Sequence, residues 1–104
     1  MLIGDFVLNK IINGDEVSLS DLKNEIGWMN DDESLSFYAS NILIRARCYC
    51  YVFESCSLLK YLGTEFGSDN NGPAAIVQHT KEVMQSAEKV ANLVINYNEW
   101  KDSV

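Results

Sequence analysis

The sequence predicts an all-α protein, a small bundle of about four helices in which two short N-terminal helices pack on a long antiparallel helical hairpin. Three observations carry the prediction. Apolar residues recur at three- and four-residue steps through two long stretches, and helix-start signals precede three of the four candidate helices. A single cluster of turn-forming residues, GTEFGSDNNG over 63–72, separates the two long stretches. With 104 residues the chain fits one domain, 1–104, and its 47% hydrophobic content is enough for one core.

The first element spans residues 2–13. Ile3, Val7 and Ile11 fall on one line with Leu8 and Ile12 beside them, and Gly14 reads as the stop. Ser18 followed by Asp21 is an S-x-x-D start signal, after which Leu19, Leu22, Ile26 and Met29 trace a second, short helix. Asn30 and the run Asp31, Asp32, Glu33 place oxygen acceptors and negative charge where the unpaired N–H groups of a helix start need them.

From there Leu35, Ala39, Ile42, Ala46, Tyr49, Phe53 and Cys56 advance by alternating steps of four and three, the mark of one packed seam. A strand competes over 42–53, because Arg45, Arg47, Tyr49, Tyr51 and Phe53 alternate with Ala46, Cys48, Cys50 and Val52. The lack of turn chemistry between Asn41 and Leu62 favours helix. Pro73 then opens the last helix, whose line Ile76, Thr80, Val83, Ala87, Val90, Val94, Tyr97 again steps by four and three.

Charge is unevenly laid out. The first 33 residues carry eight carboxylates against two bases, residues 41–53 hold two arginines and no acid, and the net charge is −7. Phosphate binding relies on clustered lysine and arginine, so direct contact with nucleic acid is not expected. The charge reads as solubility or as a face for a basic partner. The N-terminus, with Asp5 inside its apolar run, is not a signal peptide, and no run reaches the length of a membrane span. Three cysteines within nine residues do not form a secreted disulfide framework, which points to a reducing cytoplasm.

Candidate chemistry is sparse. Cys48 and Cys50 lie about 200° apart on a helix and cannot share a metal ion, so the cysteines read as small core residues. His79, the one histidine, lacks the H-E-x-x-H context of zinc hydrolases. Asp69 to Gly72 resembles a calcium loop only in part, since Thr80 stands at the twelfth position where an acid is needed. Phosphate-loop, dinucleotide and serine-elbow motifs are absent, and no cofactor is implied. Tyr49, Tyr51 and Phe53 with Arg45 and Arg47 form a possible base-stacking set, but the middle of the longest helix is where core is needed, and the arginines then neutralise acidic neighbours. Trp28 and Trp100, at element ends, are expected to complete the core, although a tryptophan beside a polar rim is also a binding hot spot.

Binding therefore outranks catalysis. The leading expectation is an immunity-type inhibitor that covers the active or substrate-binding surface of a basic, nuclease-like toxin. Its contact face would comprise Asp15, Glu16, Asp21, Glu25, Asp31, Asp32 and Glu33, with Trp28 as an apolar anchor. In size, acidity and cytoplasmic character the chain is similar to small bacterial immunity proteins. A phage-encoded blocker of a nucleic-acid-binding enzyme shares the same charge signature. An alternative of another class is a self-associating structural or adaptor protein, a homodimer built on the apolar seams, because residues 42–53 are apolar over more than one face.

Overall fold

The computed structural model of the chain describes residues 4–63 and 73–103, the side chains of 60–63 apart. Five helices follow in order: α1 (Asp5–Ile12), α2 (Leu19–Ile26), α3 (Asp32–Gly63), α4 (Pro73–Ile95) and α5 (Tyr97–Trp100). Among the described residues there is no strand. The start of the first helix at Leu2 and Ile3, and the loop over 64–72, lie outside the described residues.

Local chemistry sets the helix ends. Gly14, at φ +77°, takes the left-handed conformation after α1, with its N–H donating to Ile11 O at 3.2 Å and that of Asp15 to Lys10 O at 2.9 Å. This pair of bonds is a Schellman closure, and glycine adopts the required φ at no steric cost. Ser18 and Asp21 form the full capping box of α2. At α3 the cap falls to Asp31 instead of Asn30: the Ser34 N–H donates to its Oδ1 at 2.6 Å and the Ser34 hydroxyl to its Oδ2 at 3.0 Å.

The two long helices run antiparallel. Asn98, just past α4, donates to Asp32 at the start of α3, while near the other end the Cys50 thiol donates to Thr80 O at 3.7 Å. Ala39 and Ala46 on α3 are buried, as are Ala87 and Ala91 on α4. Small side chains on both seams let the axes approach toward the short end of the usual 8–10 Å range. The α4 line is buried at every position from Ile76 to Tyr97. Beyond it the helix does not continue smoothly: Asn96 departs from helical geometry, and α5 turns Trp100 back so that its Nε1–H donates to Leu93 O at 2.6 Å.

The core lies at one end of a 53 × 21 × 20 Å rod. Val7, Leu8 and Ile11 of α1, Leu22 and Ile26 of α2, and Met29 close over Leu35, Tyr38 and Ile42 of α3 and over Val90 and Val94 of α4. Each of these large apolar side chains contributes about 1.5–3 kcal/mol by leaving water. Asp5 pairs with Arg45 and Lys10 with Asp21, the latter at 3.0 Å, joining α1 to α3 and to α2. The strand reading of 42–53 fails because Ile42, Ala46 and Cys50 are buried at helical, four-residue spacing.

Beyond Cys50 the seam loses its cover. Tyr49 and Phe53 are half-buried against His79, and Cys56 is exposed. Of the three cysteines only Cys50 is a core residue; Cys48 and Cys56 face outward, which corrects the expectation of three small core residues. Tyr51, expected in the core, is 65% exposed.

Candidate functional site

Where α2 ends and α3 begins, the chain makes a tight turn through Gly27 to Asp31. Met29 goes into the core and its neighbour Trp28 points out, its Nε1–H held by Glu25 O at 2.9 Å. Trp28 is 64% exposed, which overturns its expected place in the core; Trp100 is buried as expected. One helical turn into α3, Phe37 is 65% exposed. A shallow concavity is lined by these two rings, by Met29 and Ser34, and by the carboxylates Asp31, Asp32 and Glu33.

The electrostatics of this patch follow from helix-end chemistry. The N–H and hydroxyl of Ser34 donate to Asp31 and hold its carboxyl below the usual carboxylate range, so it stays ionised and fixed in place. Asp32 accepts a hydrogen bond from Asn98 Nδ2 at 3.4 Å, which ties the patch to α5. Three consecutive carboxylates at the first turn of α3 are tolerated because the helix dipole is positive there.

Four of the sequence-predicted site residues, Trp28, Asp31, Asp32 and Glu33, are thus brought together. Asp15 and Glu16 instead border a separate groove with Ile11, Val17, Ser86, Lys89, Val90 and Leu93. Asp21 is engaged by Lys10 and by the α2 cap, and these bonds lower its pKa. Glu25 is partly buried and raises the pKa of Tyr38 beyond the larger effect of burial. Phe37 was absent from the predicted set. Its signal was present, since it falls off the buried seam directly after the acidic run.

Other chemistry finds little support. Among the described residues no three His, Cys, Asp or Glu side chains are grouped to hold a metal ion. Burial raises the Cys50 thiol pKa, with a smaller effect of Glu54, which keeps it protonated and unreactive at neutral pH. Tyr49 and the Nε2 of His79 share a hydrogen bond of 2.9 Å, and Phe53 packs on the same imidazole at 4.5 Å between centroids, so the histidine helps join α3 to α4. Among the described residues no helix is long and apolar enough to cross a membrane.

No protein-family model, curated protein or solved structure matches the chain. The functional reading rests on the patch itself.

Proposed function

We propose that this chain is a protein-binding module, an immunity-type inhibitor that neutralises a basic, nuclease-like toxin by covering its active or substrate-binding surface. One observation carries the reading: two large aromatic rings, Trp28 and Phe37, stand about two-thirds exposed in one concavity rimmed by Asp31, Asp32 and Glu33. Exposed tryptophan beside a charged rim is the composition of a binding hot spot, where the ring supplies burial and the charges supply selection. A toxin that acts on nucleic acid presents lysine and arginine to phosphate, and the net charge of −7 attracts such a surface over long range. Asp31 is fixed by its capping bonds from Ser34 and Asp32 is held by Asn98, so part of the ordering that association requires is already in place. On this reading the protein binds and does not catalyse.

The test is capture by immobilised protein from cells that naturally express it, at low and high salt, followed by purification of the bound species. The expected partner is basic, is released by salt, and loses its activity on nucleic acid when the complex is reformed. Trp28→Ala should weaken the complex by about 2 kcal/mol, roughly 30-fold in Kd. Replacing Asp31, Asp32 and Glu33 by Asn, Asn and Gln should slow association and flatten its salt dependence. Partners that bind both variants as tightly as the original would remove this patch from the function.

A further inference from the structure

The long helix α3 carries a second apolar line that stands exposed among the described residues. Phe37, Ile44, Tyr51 and Leu58 recur every seven residues, all at least 42% exposed. Between them at four-residue steps lie the smaller Asn41, Cys48 and Ser55, so the line alternates large and small. The seam that meets α4 (Leu35, Ala39, Ile42, Ala46) runs on the other side of the same helix. A heptad line with every second position large is the pattern that a facing helix fills.

We infer that a second copy of this chain occupies that face, its α3 lying antiparallel to the first in a two-fold dimer. Size complementarity selects this arrangement. Antiparallel pairing with Cys48 opposite Tyr51 also sets Ile44 opposite Ser55 and Asn41 opposite Leu58, and symmetry repeats each layer. Every layer then joins one large and one small side chain. Parallel pairing in register would instead place Tyr51 on Tyr51 and Ser55 on Ser55, giving overfilled layers beside empty ones.

Charge selects the same register independently. One flank of the line carries Arg47 and, seven residues on, Glu54. In the antiparallel register Arg47 of one copy and Glu54 of the other lie on the same flank beside the Cys48–Tyr51 layer, two residues off level, twice by symmetry, whereas parallel register sets them against Val52 and Leu59. Val52, Leu59 and, on α4, Val77 extend the apolar area, at 62%, 70% and 60% exposure. With Ile44, Tyr51 and Leu58 they offer on the order of 600 Å² per copy, near the roughly 800 Å² a partner contributes to a standard interface. These layers run from Asn41 to Leu58, and Phe37, one step further along the line, borders the acidic patch. The dimer displays two such patches, at opposite ends of a shared axis and about 50 Å apart.

Light scattering and sedimentation at about 50 μM test the proposal without any partner protein. The expected mass is twice 11.7 kDa. Ile44→Glu, at a site 58% exposed in the monomer, should give a folded monomer with an unchanged helical spectrum. Arg47→Glu and Glu54→Arg should each weaken the dimer about tenfold, since each makes two like-charge pairs, and the double reversal should restore it to within about threefold. A mass of 11.7 kDa at this concentration would overturn the proposal. So would a dimer indifferent to Ile44→Glu, or failure of the double reversal to rescue.

Discussion

Tyr38 offers a sharp test of how the core is built. Its side chain is 1% exposed, and its hydroxyl has no hydrogen-bond partner among the described residues. A buried hydroxyl without a partner costs about 1–3 kcal/mol relative to one left in water, while the ring it sits on contributes as any core aromatic does. Burial first, and the nearby Glu25 carboxylate second, push its pKa well up, so the group is a neutral phenol at neutral pH. Tyr38→Phe removes the oxygen and keeps the ring shape.

The substitution should stabilise the protein by about 1 kcal/mol, the lower part of that range, because the vacated volume of one oxygen loses some packing. For a domain of this size that corresponds to a rise in Tm of about 4–8 °C. Thermal and urea unfolding followed by circular dichroism read it directly, and the urea slope should not change, since the surface exposed on unfolding is the same. A loss of stability of about 1 kcal/mol or more would refute the reasoning, because it would show that the hydroxyl is satisfied in solution and that the oxygen holds α3 in place.

Two further expectations follow from the helix ends. Gly4 lies at φ +89°, where an added Cβ would stand 2.9 Å from Ile42 Cδ1, so Gly4→Ala should cost about 2–3 kcal/mol, read as a lower urea midpoint. Lys10 and the Ser18 cap lower the pKa of Asp21, and Ser34 lowers that of Asp31; both shifts are downward from 3.8. Stability from these two groups is therefore fully present above that value and lost as pH falls through their folded pKa values. Urea midpoints measured between about pH 5 and pH 2 should fall in acid, and the fall should be shallower in the Asp21→Asn, Asp31→Asn variant.

Much of this architecture was legible because it rests on short-range rules. The α4 line from Ile76 to Tyr97 is buried at every predicted position, since one apolar stripe on an otherwise polar helix has one way to face. The capping box of α2 and the Gly14 stop are local as well, each settled within five residues. Local rules also brought the acidic half of the patch within reach: a run of carboxylates that caps a helix must lie at its exposed start. Periodicity missed α5, because Tyr97 continues the α4 line while Asn96 leaves helical geometry just before it. Trp28 was placed in the core on its chemistry alone. Its direction is set by Met29, which takes the inward position in the turn and leaves its neighbour outside.

The outward direction of Tyr51, Cys48 and Cys56 has a different origin, in length. Helix α3 has 32 residues and spans about 48 Å, whereas α1 and α2 have eight each and cover about 12 Å apiece. Two short helices can close the core around Leu35, Tyr38 and Ile42 but cannot follow α3 to its far end. Because α3 is apolar on two opposite sides, its periodicity marks both lines and does not say which is inward. That choice is made by the alanines: Ala39 and Ala46 let α4 approach closely, and the line rich in Ile44, Tyr51 and Leu58 is left facing out. Phe37 begins that outward line at the covered end of α3, so it is bare beside Trp28 because it faces away from the seam. The outer heptad line thus follows from an α3 that is apolar on two sides and has one α4 to cover it, and the acidic aromatic patch from that line meeting the outward Trp28 at the α2–α3 turn.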